Sequence, residues 1–216
     1  MFMISKKTVL PRYLIDRYKI WKTTSYLQNK KKIKKLAKFG QKPKAMIISC
    51  CDSRVNVESI FGSEEGDFFI HRNIANLIPP YKFSKTDSTT FAAIEYALKE
   101  LKVTNFIILG HTNCGGIKAG YLHYSNGANK NYKFINNWIV YLSTAYKNIP
   151  KKLSIKNQIQ FLEEENVRVS INNLLELPKV KNLVKNNKIS IHGLMYEISS
   201  GELKLLNYKT SKFEII

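Results

Sequence analysis

Hydrophobic positions along this chain fall into short blocks separated by polar and turn-forming residues, and their spacing changes from block to block. From about residue 12 to 39 the pattern reads as helical and basic, with Ile33, Leu36 and Ala37 keeping an apolar stripe through a run of lysines. Lys42-Pro43 breaks that pattern, and Ala45-Met46-Ile47-Ile48-Ser49 follows as a short apolar run suited to a buried parallel strand. Asp67-Phe68-Phe69-Ile70 predicts a second strand. Pro79-Pro80 opens a loop to about Asp87, after which Asp87, Ser88, Thr89 and Thr90 offer N-cap oxygens. Phe91, Ile94, Ala97, Leu98 and Leu101 then recur at three- and four-residue spacing and give the following helix one buried face. Asn105-Phe106-Ile107-Ile108-Leu109 predicts a third buried strand. Helical stretches are expected around 133–146 and 156–176, then strands over 189–198 and 203–208 joined by a turn at Ser200-Gly201. Strands alternating with helices predict an α/β fold, a mainly parallel β-sheet flanked by helices with an N-terminal helical arm. In such folds, sites form at the carboxyl ends of strands.

With 216 residues and 44% hydrophobic composition, the chain fits one globular domain plus the arm, and it shows no internal repeat. No stretch approaches the roughly 20 apolar residues of a membrane span. The opening MFMISKKTVLPRY lacks a signal peptide's apolar centre, so a cytoplasmic protein is expected. Three cysteines, two of them adjacent, make a poor disulfide framework and a better source of thiolate ligands. The net charge of +19 raises nucleic-acid binding as a function. Lys30, Lys31, Lys32, Lys34, Lys35 and Lys38 form the densest run, yet the apolar stripe through it reads as an amphipathic helix with a solvated basic face. With no zinc finger, aromatic RNA-binding motif or helix-turn-helix pattern, no nucleic-acid partner is expected.

Two predicted strand ends carry chemistry. The first runs into Cys50-Cys51-Asp52-Ser53-Arg54, the third into Gly110-His111-Thr112-Asn113-Cys114-Gly115-Gly116. If these strands are neighbours, Cys50, His111 and Cys114 converge on one point. Two thiolates and one imidazole suit zinc, and three protein ligands leave a tetrahedral position open, as in catalytic sites. Asp52 beside Arg54 can form a charge-assisted pair that keeps the carboxylate ionised. Near an open metal site that carboxylate can accept a hydrogen bond from bound water, or occupy the fourth position itself. Zinc lowers the pKa of its water to about 7, giving a nucleophile suited to carbon dioxide.

The combination of C-x-D-x-R with H-x-x-C about 60 residues later resembles the β-class carbonic anhydrases. Gly40-Gln41, Gly66-Asp67-Phe68-Phe69, Arg72-Asn73-Ile74-Ala75-Asn76-Leu77, Ile94-Glu95-Tyr96-Ala97, Asn136-Asn137-Trp138 and Ile191-His192-Gly193 with Tyr196 extend the resemblance over roughly residues 40 to 210. It implies a lyase that reversibly hydrates carbon dioxide to bicarbonate, with one zinc per chain on Cys50, His111 and Cys114. It implies that Asp52 orients the zinc-bound hydroxide, that Arg54 holds Asp52 and that Gln41 binds bicarbonate. Phe69, Ile74 and Tyr96 match positions lining an apolar carbon dioxide pocket, and Gly115 with Gly116 suits close backbone approach at a helix start. Residues 1–39 would be an arm for dimer contacts and 40–216 the catalytic domain, in a homodimer or dimer of dimers whose sites lie at the dimer interface.

Some features depart from the pattern or fall outside it. Cys51 stands where many relatives have serine, and is expected to be a small buried neighbour of the site rather than a ligand. Some members hold bicarbonate in a second pocket built from tryptophan, arginine and tyrosine. Arg72 and Tyr196 match it but Ile47 replaces the tryptophan, which favours a permanently open site. The plainer reading makes Arg72 an interior ion-pair partner and Tyr196 a core aromatic. His71 and His192 are expected to be satisfied core residues. His123 is either a surface histidine or a proton shuttle, and Glu95 and Glu163 to Glu165 are expected to be helix-surface charges. The rival functions are a related enzyme acting on carbon disulfide, and a basic interaction protein using zinc structurally.

Overall fold

A computed structural model describes residues 10–86 and 88–216. The chain divides into two compact units, the first ending at Gln41 and the second running Lys42–Ile216. In the first unit, α1 (Arg12–Thr23) and α2 (Ser25–Phe39) pack on each other, and neither contains a buried residue. Pro11 stands just before α1, where its missing N–H costs no helical hydrogen bond. Gly40, at φ 79°, ends α2 and donates its N–H to the Leu36 carbonyl at 2.8 Å.

The second unit runs β1 (Ala45–Cys50), α3 (Val57–Phe61), β2 (Phe68–Asn73), α4 (Ser88–Lys99), β3 (Asn105–His111), α5 (Gly115–Asn126), α6 (Lys133–Ile139), α7 (Ser143–Lys147), α8 (Ile155–Leu175), α9 (Pro178–Lys185), β4 (Ser190–Tyr196), β5 (Leu203–Asn207) and β6 (Lys212–Ile215). The strands form one sheet in the order β2-β1-β3-β4-β5-β6. The first four of these are parallel, while β5 and β6 add antiparallel to the β4 edge. The expected mainly parallel α/β architecture is present.

Every residue of β1 is buried because the strand is covered on both faces. Met46 and Ile48 join a core with Ile94, Phe106, Ile108 and Val167, while Ile47 joins Val55, Val57, Leu109 and Leu194 on the other side. Each such side chain contributes about 2 kcal/mol by leaving water. Helix α8 approaches β3 and β4 at a distance that glycine permits. A Cβ at Gly110 would stand 2.6 Å from Val167 Cγ2, and one at Gly193 would stand 2.9 Å from Ile171 Cδ1. That contact brings the polar residues of α8 up to the sheet's carboxyl edge.

The structure departs from the sequence pattern in one helix and adds one strand. The helix expected over 133–146 is interrupted by a 3-10 turn, Val140–Leu142, between α6 and α7. Ile139, Leu142 and Ala145 are buried there at three-residue spacing, which is the period of a 3-10 helix. Strand β6 was not anticipated, because only Phe213 in Lys212–Ile215 is even partly buried and the alternation is too short to read. Asp87, one of the expected capping residues of α4, lies outside the described residues. Among the described residues, no helix is long and apolar enough to cross a membrane.

Candidate metal centre

Strands β1 and β3 are parallel neighbours, with Ser49 opposite Leu109, so Cys50 and His111 leave the sheet side by side. Past His111 the chain turns through Thr112 and Asn113, the latter in the left-handed region at φ 56°, and Cys114 becomes the N-cap of α5. The sulfurs of Cys50 and Cys114 and a ring nitrogen of His111 all lie within 4.8 Å of one another, and all three residues are buried.

This donor set fits zinc on three observations. The two sulfurs are 3.9 Å apart. Zinc–sulfur bonds of about 2.3 Å at a tetrahedral angle would place them about 3.8 Å apart, whereas a disulfide needs about 2 Å. The Nδ1 of His111 faces the Thr112 carbonyl at 2.9 Å, which can only accept, so Nδ1 carries the proton and Nε2 keeps its lone pair. That Nε2 is buried and has no hydrogen-bond partner among the described residues. Finally, the thiols cannot both ionise unaided. The Cys114 thiol donates to Cys50 and draws the Cys50 pKa down, helped by the Asp52 and Ala75 N–H groups, while burial opposes the shift. Cys114, holding the proton against that thiolate and buried, is pushed far up. A divalent cation between the sulfurs removes the conflict.

Asp52 and Arg54 border the cluster. Arg54 donates from Nε to Asp52 Oδ1 at 2.9 Å and from Nη2 to Oδ2 at 2.7 Å, and its backbone N–H adds a third bond to Oδ1 at 3.0 Å. This fork holds the Asp52 carboxyl well below the usual carboxylate range. The same Nη2 also donates to the Asn113 carbonyl at 3.0 Å, tying Asp52 to the loop that carries Cys114. Asp52 Oδ2 stands 4.0 Å from the free Nε2 of His111.

Ile74 and Gly115 stand beside this group. Ile74 heads the turn Ile74–Asn76, and a Cβ on Gly116 would sit 2.6 Å from its Cγ2. Gly115 follows Cys114 directly and opens a cavity of about 480 Å³ along α5 that His123 also lines. Phe69 and Tyr96 are elsewhere. Phe69 pairs in register with Met46, four residues before Cys50, which is about 13 Å along the strand. It lies against Tyr96, ring centroids 5.8 Å apart, and Tyr96 is exposed. Gln41 closes the first unit and is exposed.

Several other readings meet the structure directly. Arg72 donates to the carbonyls of Cys50, Asp52 and Val55 at 2.8–2.9 Å. Its role is structural, through carbonyls rather than the expected ion pair, and it braces the turn after β1. Ile47 is fully buried in the sheet, and Tyr196 packs against the apolar cluster on the same face. His71 meets Thr90 Oγ1 and His192 meets Ser190 Oγ, as expected for satisfied histidines. His123 is half-buried, its Nδ1 shielded from solvent. Cys51 is not buried as expected. With Cys50 turned inward, its neighbour points the opposite way and lies exposed beside Arg72 and Trp138. Glu95 pairs with Lys99 on the surface of α4.

Glu163 is the residue that sequence reasoning missed. It is 3% exposed, and its Oε1 accepts the Cys114 N–H at 2.9 Å. Burial pushes its pKa up to about 7 against the pull of that N–H. The available signal was periodicity: Glu163, Asn166, Ser170 and Asn173 share one face of α8, whereas Glu164 and Glu165 turn outward to Arg168.

Known proteins resemble this chain in sequence and in fold. A family profile described as carbonic anhydrase matches residues 45–203. Beta carbonic anhydrase 3 of Arabidopsis thaliana is 39% identical over 196 residues, covering 88% of this chain and 75% of that protein. The same plant's beta carbonic anhydrase 5, named as chloroplastic, is 35% identical over 84% of this chain and 60% of its own length. Among solved structures, the beta-carbonic anhydrase CcaA superposes with a TM-score of 0.85 at 26% identity, covering 95% of this chain and 98% of that one. A tetrameric beta-carbonic anhydrase from Sordaria macrospora gives 0.78 at 30% identity, covering 90% and 95%. A fold with this sheet, this thiol–imidazole cluster and these relatives has one home: the chain belongs to the β-class carbonic anhydrases, zinc-dependent lyases that interconvert carbon dioxide and bicarbonate.

Proposed function

We propose that each chain holds one zinc ion on Cys50, His111 and Cys114, with the fourth position open for catalysis. The observation that carries this reading is the 3.9 Å sulfur pair facing a buried, partnerless His111 Nε2. When bound there, zinc supplies a Lewis acid that makes water nucleophilic near neutral pH. The chain's own residues supply the rest. Asp52, kept ionised by Arg54, is an acceptor only, so beside the metal it would accept the proton of an O–H group and hold it oriented. Arg54 holds both carboxylate oxygens, and this supports an Asp52 that stays off the metal. Ile74, with buried Ala75 and Leu77, offers carbon dioxide an apolar wall.

The distance of Phe69 from Cys50 supports a further assignment: Phe69, Tyr96 and Gln41 serve the site of a second copy across a dimer interface. The tetrameric Sordaria relative supports a dimer or a dimer of dimers. The free thiols suit a reducing compartment, which supports operation in the cytoplasm.

Stopped-flow hydration of carbon dioxide with a pH indicator, run beside metal analysis, tests the reading. Wild type should hydrate rapidly with about one zinc per chain, and Cys114→Ala should lose both. Zinc-loaded wild type without hydration between about pH 7 and 9 would exclude the open-site assignment.

A further inference from the structure

The inward face of α8 carries a line of polar residues through an apolar core. Glu163, Asn166, Ser170 and Asn173 are each 6% exposed or less, and Glu163 is the only acidic residue among the buried described residues. Every member bonds to loop backbone at the sheet's carboxyl edge. Glu163 accepts from Cys114 N at 2.9 Å, and Asn166 Nδ2 donates to the Ala75 carbonyl at 2.8 Å. Ser170 Oγ accepts from Ile78 N at 3.2 Å, and Asn173 Nδ2 donates to the Ile78 carbonyl at 2.7 Å.

The first two members bond to backbone beside the thiolate ligands. Cys114 lies in a turn whose preceding residue, Asn113, has φ 56°. Ala75 is likewise in the left-handed region, at φ 64°, a conformation unfavourable for a residue with a Cβ. Holding Ala75 there matters because it packs with Cys50 and its N–H, on the other side of its Cα from the carbonyl that Asn166 holds, faces the Cys50 sulfur. One helical turn of α8 therefore grips the backbone beside one thiolate with a carboxylate and the backbone beside the other with an amide.

We propose that Glu163 and Asn166 are positioning residues for the two zinc thiolates, Glu163 fixing the backbone of Cys114 and Asn166 holding, by its carbonyl, the residue Ala75 whose N–H faces Cys50. The inference rests on the zinc reading above. Outer groups that orient metal ligands typically account for about 10–100-fold in metal affinity. The lower members, Ser170 and Asn173, grip the same loop away from the thiolates and serve as internal controls.

The experiment is chelator competition for zinc on the purified full chain, with thermal melts of the metal-free forms and the sulfur-to-cobalt charge-transfer band of cobalt-substituted protein. Glu163→Ala and Asn166→Ala should weaken zinc about 10–100-fold and alter that band, and Glu163→Gln, which keeps one acceptor, should weaken it about tenfold. Ser170→Ala and Asn173→Ala should lower the Tm by about 3 °C or more while zinc affinity stays within about threefold. If Glu163→Ala does not fold, Glu163→Gln and Asn166→Ala decide. Wild-type zinc affinity in those variants overturns the inference alone, as does a loss that tracks Tm equally across all four positions. A wild-type chain that takes up no zinc overturns the zinc reading as well.

Discussion

The carboxyl ends of β1 and β3 and the helical pair α1–α2 lie at opposite extremes of internal completion. At the strand ends, Arg72 satisfies three carbonyls, Arg54 holds Asp52 and Asn113, and Glu163 takes the Cys114 N–H. Among the metal-ligating groups there, the His111 Nε2 is buried without a hydrogen-bond partner beside two sulfurs. Along α1 and α2 nothing is buried, Tyr13, Tyr18 and Trp21 are exposed, and residues 1–41 carry 12 Lys or Arg against one acid. The first region gathers donors suited to an ion, and the second offers an apolar surface that a protein partner can cover. Zinc binding and assembly should therefore respond to separate mutations.

The sharpest break is at the cluster. Cys114→Ala, or removal of metal by a chelator, should drop carbon dioxide hydration below about one-thousandth of wild type, while size-exclusion chromatography reports unchanged assembly. Retained hydration would mean that the cluster is not the catalytic centre. Asp52→Asn comes next, keeping the shape while losing the ionised acceptor. It should lower kcat about a hundredfold with zinc content unchanged, and loss of zinc together with kcat would instead make Asp52 a ligand. In the arm, Tyr18→Ala with Trp21→Ala should weaken self-association at least tenfold, the scale of interfacial aromatic anchors. Sedimentation should register that change while metal analysis still finds one zinc per subunit, and zinc loss on dissociation would show that the regions are coupled. The smallest effect belongs to Ser154, which caps α8 by accepting the Asn157 N–H at 3.3 Å. Its replacement by alanine should cost about 1 kcal/mol, visible as a Tm lower by about 2–4 °C, with neither hydration nor assembly altered.

Residues at strand ends were the easiest to read. Cys50, Asp52, Arg54, His111 and Cys114 are types whose chemistry is specific, and parallel strands deliver them to one edge, so neighbouring β1 and β3 suffice to assemble them. Tertiary choices were harder. Within Glu163-Glu164-Glu165 no residue marks the inward glutamate; only the helical period it shares with Asn166, Ser170 and Asn173 does, on the face that α8 turns to Gly110 and Gly193. For Cys51 the alternation that turns it away from Cys50 was legible and its burial was not, because the side chain opens to solvent past the end of β1. Phe69 and Tyr96 match pocket positions by pattern, yet the register of β2 sets them beside Met46, and pattern carries no information about which copy of the chain they serve.

Zinc-edge X-ray absorption on the purified wild-type protein tests the central claim most directly. Two sulfurs are expected at about 2.3 Å and two nitrogen or oxygen neighbours at about 2.0–2.1 Å, one from His111 and one from solvent. A shell of three or four sulfurs, or zinc bound without sulfur, would contradict that claim.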